Sequence, residues 1–215
     1  MSHDAIIGLY ERHARAFDRD RGRALQERTW LDRFLAFVPP DGTVLDVGCG
    51  MAEPLAAYLL AMGRRVVGVD ASPTLIGLSR ARFPQQEWIV ADMRTLALGR
   101  RFDGVLAWDS LFHLRMDDQR GMFPRFAAHA GRGAPVMFTS GPAEGELLGV
   151  YEGEPLYHAS LDHAEYERLL RLHGFAVRAQ RNDDVDCGGH TVWLATCEHD
   201  AAPASSTGDD GRTAR

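Results

Sequence analysis

Residues 44–54 read Val-Leu-Asp-Val-Gly-Cys-Gly-Met-Ala-Glu-Pro, an apolar run that leads into a glycine-rich turn. Such a turn after a buried strand often brings backbone N–H groups close to a bound nucleotide. Here a carboxylate, Asp46, precedes Gly48 by two residues, and no third glycine follows Gly50. A carboxylate in this position repels a pyrophosphate and attracts a cation. The turn therefore predicts a cofactor that carries positive charge and no phosphate.

The regions on both sides of this turn alternate between strands and helices. Apolar residues at helical spacing predict helices over 3–17 and 21–37. Alternating strands and helices favour a mostly parallel sheet covered on both faces, and a final pair of strands is close enough to form a hairpin. The predicted strands are 43–47, 64–70, 87–92, 102–108, 134–140, 175–181 and 190–197, whereas 141–160 is predicted to be a long functional loop.

Composition narrows the possible functions. The chain has 215 residues and a net charge of −6, and all 24 of its basic residues are arginine. Without lysine, Schiff-base chemistry and a phosphate-binding P-loop are excluded. The three cysteines have irregular spacing, the N-terminus has no signal-peptide core, and no apolar run approaches the roughly 20 residues of a membrane span. We therefore expect one domain with reduced thiols in the cytoplasm.

Four segments in register resemble the class I S-adenosylmethionine-dependent methyltransferases: VLDVGCG, VVGVD, VADM and FDGVLAWDSLFHL. The resemblance covers residues 10–197. It implies an α/β fold, a Rossmann-like three-layer sandwich with a seven-stranded, mostly parallel sheet and an antiparallel last strand. It divides the chain into N-terminal helices that close over the cofactor (1–40) and the cofactor-binding domain (41–197). The composition of the remaining residues, rich in Ala, Ser, Pro, Gly and Asp, predicts a disordered tail (198–215). The implied cofactor is S-adenosyl-L-methionine.

The resemblance also implies a set of cofactor-binding residues. Asp70, at the end of the second strand, would accept the ribose hydroxyls, a role that its distance from the glycine turn also favours. Asp92 would accept the adenine amino group, although a simple capping role is an alternative. Aromatic residues of the first helix would close over the cofactor or else belong to the core. The expected contacts are Tyr10, Arg15, Asp46, Gly48, Cys49, Gly50, Asp70, Ala71, Asp92, Met93 and Trp108.

The acceptor is expected to bind among residues that follow the fourth strand and in two more distant segments. His113 is the candidate general base, and its alternative is a structural histidine bonded to a loop carbonyl. Asp109 would orient His113 or bind the acceptor directly. Candidate substrate-binding residues are Ser110, His113, Tyr157, His158 and His190. The cysteine and histidine spacing does not favour a metal site.

These observations predict transfer of a methyl group to an oxygen or nitrogen of a small polar metabolite. Methylation of tRNA or protein, and cofactor binding without catalysis, are alternatives. A nucleic-acid partner is not expected, because residues 141–160 contain no basic side chain to meet phosphates. A membrane partner is not expected either, and both a monomer and a homodimer fit the sequence. Asp46 and Asp92 together argue against an NAD-dependent oxidoreductase.

Overall fold

The computed structural model describes residues 3–198, and side chains from Ala5 onward. The predicted tail beyond Glu198 lies outside the described residues. The helices are α1 His3–Arg12, α2 Ala14–Asp20, α3 Arg28–Leu35, α4 Leu55–Ala61, α5 Pro73–Arg82, α6 Met116–His129 and α7 His163–Leu172. The strands are β1 Thr43–Val47, β2 Arg65–Asp70, β3 Glu87–Val90, β4 Gly104–Ala107, β5 Pro135–Ser140, β6 Gly145–Tyr151, β7 Glu154–Ser160, β8 Phe175–Asp184 and β9 His190–Cys197.

Seven of these strands form one sheet in the order β3-β2-β1-β4-β5-β9-β8. Strands β1 to β5 pair in parallel, and β9 pairs antiparallel with both β5 and β8. The predicted Rossmann-like sheet with an antiparallel last strand is confirmed. Because β1 to β4 run in one direction, their carboxyl ends meet at a single edge of the sheet, where ligands of such folds bind.

Both faces of the sheet are buried. Alternate residues of one strand point to opposite faces, so Val44 and Leu45 of β1 belong to two different apolar clusters. The Leu45 cluster includes Phe123 of α6 and Tyr166 of α7, whereas the Val44 cluster includes Trp30 of α3. These helices complete the three-layer sandwich.

The N-terminal helices are shorter than predicted. The expected helix over 3–17 breaks at His13, whose φ of −105° and ψ of 17° are not helical. The expected helix over 21–37 begins only at Arg28, because Arg21 is extended and Gly22 disfavours helix. Residues 21–27 therefore cross the carboxyl edge of the sheet as irregular chain.

Polar contacts hold α1 and α2 over that edge. Glu11 of α1 accepts hydrogen bonds from the hydroxyls of Ser72 and Thr74, at the start of α5. Asp18 of α2 pairs with Arg82 at 2.7 Å. The N-terminal helices therefore lie over the carboxyl edge of the sheet, where the family resemblance implies that they close over the cofactor.

The prediction of a loop over 141–160 is wrong. This segment forms the separate hairpin β6–β7. Its two-residue turn consists of Glu152 and Gly153, whose φ angles of 50° and 78° suit the tight turns that match strand twist. Four glycines and two prolines in the segment concealed the strands, but Tyr157 and Ala159 alternate inward and pack against Ile6.

Candidate active site

A cavity of about 320 Å³ opens at the carboxyl edge of the sheet, beneath α1 and α2. Its wall includes the ends of β2, β3 and β4 and one residue of the β6–β7 hairpin, His158. A smaller cavity of about 60 Å³ shares Gly48 and Gly50 with it and extends along the glycine turn to Trp108. The two cavities bring together most of the residues that the sequence singled out.

The glycine turn adopts a backbone that requires glycine. Gly48 has a φ of 80°, and a Cβ atom there would lie 2.3 Å from the Cβ of Ser110. Gly50 also has positive φ, and its N–H donates to Asp70 Oδ2 at 3.0 Å. The second oxygen of Asp70 accepts from the N–H of Ser72 at 2.8 Å. Asp70 is thereby fixed at the cavity wall with lone pairs available to hydroxyl donors.

Asp46 is a buried carboxyl group beneath the same turn. It is 4% exposed, lines the smaller cavity and receives no hydrogen bond from any residue in the described range 3–198. Burial, followed by the negative charge of Asp70, raises its pKa to about 7. A buried carboxylate without a partner is costly, and a cation placed beside it would relieve that cost.

Asp92 and Met93 line the main cavity together with Ala71. The Asp92 side chain caps the short turn Met93–Thr95 by accepting from the N–H of Arg94 at 2.8 Å. It also pairs with the Arg94 guanidinium at 2.6 Å. Asp92 therefore has the capping role that was the alternative prediction, and it also lines the cavity.

Tyr10 and His113 form a hydrogen-bonded pair inside the cavity. The Tyr10 hydroxyl lies 2.9 Å from His113 Nε2, and His113 Nδ1 lies 3.0 Å from the carbonyl oxygen of Tyr157. Since a carbonyl only accepts, Nδ1 carries the proton, and Nε2 of the neutral ring accepts from Tyr10. Burial, followed by the charge of Asp109, raises the pKa of Tyr10 well above its ordinary value. Tyr10 therefore keeps its proton.

Asp109 pairs with His190 rather than orienting His113. His190 Nε2 lies 2.8 Å from Asp109 Oδ1, and His190 Nδ1 donates to the carbonyl oxygen of Cys187 at 2.6 Å. The hydrogen bond to Asp109 is the main cause that raises the pKa of His190 to about 8. His190 is thus an imidazolium at neutral pH, beside the cavity that both residues line.

Several predicted residues lie elsewhere than expected. Arg15 is exposed and lines neither cavity, whereas Arg21 lines both. Cys49 and Trp108 line only the smaller cavity. The side chain of Tyr157 packs against the first helix instead of entering the cavity, so that only its backbone carbonyl reaches the site. Ser110 lines the main cavity and donates to the carbonyl oxygen of Val47.

The cavity wall also contains residues to which the sequence did not point, among them Ile6, Ile7, Arg21 and Phe112. No local pattern marked Arg21, because its position depends on the extended backbone between α2 and α3. It pairs with the buried Glu27 at 2.7 Å and lies 4.0 Å from Asp109. Phe112 directly precedes His113, in the segment after β4 that the sequence predicts to bind the acceptor. This position was the signal in the sequence that could have identified Phe112.

Comparison with known proteins agrees with this geometry. Residues 44–133 match the family model described as a methyltransferase domain. The chain is 40% identical over 85 residues to trans-aconitate 2-methyltransferase of Azoarcus sp. (strain BH72), covering 38% of this chain and 34% of that protein. It is 39% identical over 125 residues to magnesium-protoporphyrin O-methyltransferase of Rhodobacter capsulatus, covering 54% of each. The chain thus spans between about a third and a half of these curated relatives.

Solved structures share the fold. Magnesium protoporphyrin IX methyltransferase from Synechocystis PCC 6803, with bound S-adenosylhomocysteine, has a TM-score of 0.69 at 18% identity, covering 91% of this chain and 99% of that one. A glycopeptide N-methyltransferase in complex with S-adenosylhomocysteine has a TM-score of 0.67 at 19% identity, covering 82% and 91%.

The fold is the α/β sandwich of these solved methyltransferases, with a cavity at the carboxyl edge of its sheet. The matched segment makes the likeness more specific: residues 44–133 are similar to a methyltransferase domain.

The residues present suit S-adenosyl-L-methionine, the cofactor that the sequence predicts. A cation beside the buried Asp46 carboxylate would relieve the cost of its charge, and the methionine end of this cofactor carries an ammonium group. Asp70 retains lone pairs for the ribose hydroxyls, and Met93 and Ala71 offer apolar contacts for an adenine ring. Within residues 3–198, no group of three or more His, Cys, Asp or Glu side chains is arranged to hold a metal ion. No helix in the described range is long and apolar enough to cross a bilayer.

Proposed function

We propose that this protein transfers the methyl group of S-adenosylmethionine to an oxygen of a small molecule, with nitrogen as the alternative acceptor atom. The hydrogen-bonded chain from Tyr10 through His113 to the Tyr157 carbonyl supports the proposal most directly. It lies in the same cavity as the residues that would hold the cofactor.

The cofactor-side residues would bind by charge and hydrogen bonding. Asp70 would hold the ribose hydroxyls, Asp46 would neutralise the ammonium group, and Arg21 would meet the carboxylate. When bound, S-adenosylmethionine supplies an electrophilic methyl group on a positively charged sulfur. The chain mainly has to orient the acceptor toward that group, since positioning supplies much of the rate of a displacement.

The Tyr10–His113 pair provides a route for the proton of an acceptor hydroxyl. Tyr10 donates its proton to His113 Nε2, which leaves the phenolic oxygen free to accept a hydrogen bond from the acceptor. As the acceptor oxygen forms its bond to the methyl carbon, its proton moves to Tyr10 and the Tyr10 proton moves to Nε2. His113 becomes an imidazolium, which its Nδ1–H bond to the Tyr157 carbonyl stabilises. The positive charge of the imidazolium would balance the charge that a bound sulfonium group gives up on methyl transfer.

The relatives favour oxygen over nitrogen as the acceptor atom. Two curated relatives are named O-methyltransferases, one for magnesium-protoporphyrin and one in ubiquinone biosynthesis. A proton-accepting pair in the cavity also fits a hydroxyl acceptor, whose oxygen is a weak nucleophile until its proton is removed. The sequence predicts a polar acceptor. In this proposal, the polar part of the acceptor is the hydroxyl-bearing end that reacts.

Two measurements test the proposal in sequence. Calorimetric titration with S-adenosylhomocysteine, with NAD in parallel, tests the cofactor site; we expect micromolar binding of the former alone. Transfer of tritium from methyl-labelled S-adenosylmethionine to a panel of phenols, carboxylic acids and amines then tests activity. Cofactor binding without transfer to any acceptor in the panel would favour a non-catalytic role. Binding of NAD alone would contradict both the cofactor and the activity.

A further inference from the structure

The proposed reaction places the acceptor in the part of the cavity beside the Tyr10–His113 pair. Ile6, Ile7 and Phe112 are apolar residues of the cavity wall, which also includes the Asp109–His190 ion pair. The main cavity of about 320 Å³ is at the lower end of the range for one small-molecule ligand, yet it must hold both cofactor and acceptor. Only the reacting end of an acceptor fits beside the cofactor. The rest of the acceptor must extend beyond the cavity.

The β6–β7 hairpin continues the cavity wall outward. His158 lines the cavity, and its ring centre lies 5.3 Å from that of Phe112. Leu147 is the residue directly opposite His158 across the hairpin, so the two side chains share one face. Leu147 is 67% exposed. Phe112, His158 and Leu147 therefore form a strip that leads from the cavity wall to an exposed apolar side chain.

The part of this face nearest the cavity carries no acidic or basic side chain other than His158, whose pKa is lowered by burial. The next cross-strand pair on it is Gly149 and Leu156. The carboxylate at its far end, Glu154, is already bound by Arg12 and by His13 at 2.7 Å. A polar body lying here would lose water without gaining partners, whereas an apolar body gains about 25 cal/mol for each Å² buried.

We propose that the acceptor is amphipathic: a hydroxyl-bearing head enters the cavity beside Tyr10, and an apolar body lies along the strip formed by Phe112, His158 and Leu147. The inference rests on the proposed function, because it assumes that the acceptor reacts at the Tyr10–His113 pair. In this proposal, the hairpin selects acceptors according to the acceptor's apolar body.

A homologous series of probes tests the strip. Phenol, 4-propylphenol and 4-hexylphenol are titrated calorimetrically into protein saturated with S-adenosylhomocysteine. We expect affinity to increase roughly two- to fourfold for each added methylene, the range for partial to full burial. Leu147→Gln should remove most of this chain-length dependence and leave the affinities for phenol and S-adenosylhomocysteine unchanged.

Leu148→Gln is the matched control. Leu148 is 61% exposed, similar to its neighbour, but it pairs with Tyr157 on the opposite face of the hairpin. The variant should bind all three phenols as the wild type does. Equal affinities for the three phenols, or equal losses in the two variants, would overturn the inference while the cofactor site stands. So would a dimer that Leu147→Gln dissociates, since a second copy would then cover the strip. Failure of S-adenosylhomocysteine to bind would instead refute the proposed function, and this inference with it.

Discussion

The Asp109 carboxylate and the His190 imidazole form an ion pair, 2.8 Å between Oδ1 and Nε2, that joins the end of β4 to the start of β9. The two residues are 81 positions apart in the sequence, and both line the cofactor cavity. Asp109 has a φ of 49°, and its N–H is anchored by the hydroxyl of Thr139 at 2.9 Å. The pair therefore closes the cavity on the β9 side with two opposite charges held together.

Stability should follow the titration of His190. Its pKa is raised from 6.5 to about 8 in the folded protein, so its contribution is complete below pH 6.5 and is lost as pH rises through about 8. We expect the free energy of unfolding of wild type, relative to His190→Gln, to fall by about 2 kcal/mol between pH 6 and pH 9. Urea unfolding at several pH values measures it. Asp109→Asn should abolish the same pH dependence; if it does not, the ion pair is not its cause.

Cofactor affinity should depend on pH through Asp46. With a pKa of about 7, this group is protonated in the free protein below that pH, and an ammonium group binds the carboxylate form. Affinity for S-adenosylhomocysteine should therefore weaken by up to about tenfold for each pH unit below 7, with release of a proton on binding. Calorimetry in buffers of different ionisation enthalpy measures both quantities. A pH dependence unchanged in Asp46→Asn would contradict this assignment.

The same Asp46→Asn variant should be more stable than wild type in the absence of cofactor. Because the pKa of Asp46 is raised from 3.8 to about 7, wild-type stability falls as the pH rises between these two values and stays low above them. Thermal unfolding at pH 8 should show a higher midpoint for the variant, and the difference should shrink as the pH falls from 7 toward 4. A variant less stable than wild type at pH 8 would indicate that Asp46 has a favourable partner in the free protein.

Tyr10→Phe and His113→Gln should each lower turnover by roughly 10² to 10⁴, the range for loss of positioned acid–base catalysis. Because the two side chains act as one unit, the double variant should be little worse than either single variant. Rates on an identified acceptor, with affinity for S-adenosylhomocysteine as the folding control, measure this. Additive losses would mean that the two residues act independently.

Arg21→Gln should weaken binding of S-adenosylhomocysteine, whereas Arg15→Gln should not. Arg21 lines both cavities, and Arg15 is exposed outside them. The loss should disappear when the ligand is 5′-methylthioadenosine, which lacks the carboxylate. Equal losses for both ligands would instead indicate that removing Arg21 disturbs the buried Glu27 with which it pairs.

The sequence alone determined the sheet and marked the glycine turn at its carboxyl edge. Strand–helix alternation predicted the seven strands, because apolar patterns in buried parallel strands are local. Gly48, Asp46 and Asp70 were recognisable because they belong to or flank one short turn. The turn needs glycine for its backbone and carboxylates for the charge of the predicted cofactor. The hairpin at 145–160 was missed, because its glycines and prolines read as loop and its burial depends on contacts with Ile6 from the first helix.

Tertiary structure alone decided which side chains work together. His113 pairs with Tyr10 rather than Asp109, Asp109 pairs with His190, and Arg21 rather than Arg15 faces the cavity. These partners are separated by tens of residues, and the strand order and the extended chain after α2 bring them within hydrogen-bonding distance. Local sequence specifies strands, turns and caps through short-range sterics. The Tyr10–His113 hydrogen bond and the Asp109–His190 ion pair form only when distant segments meet at one edge of the sheet.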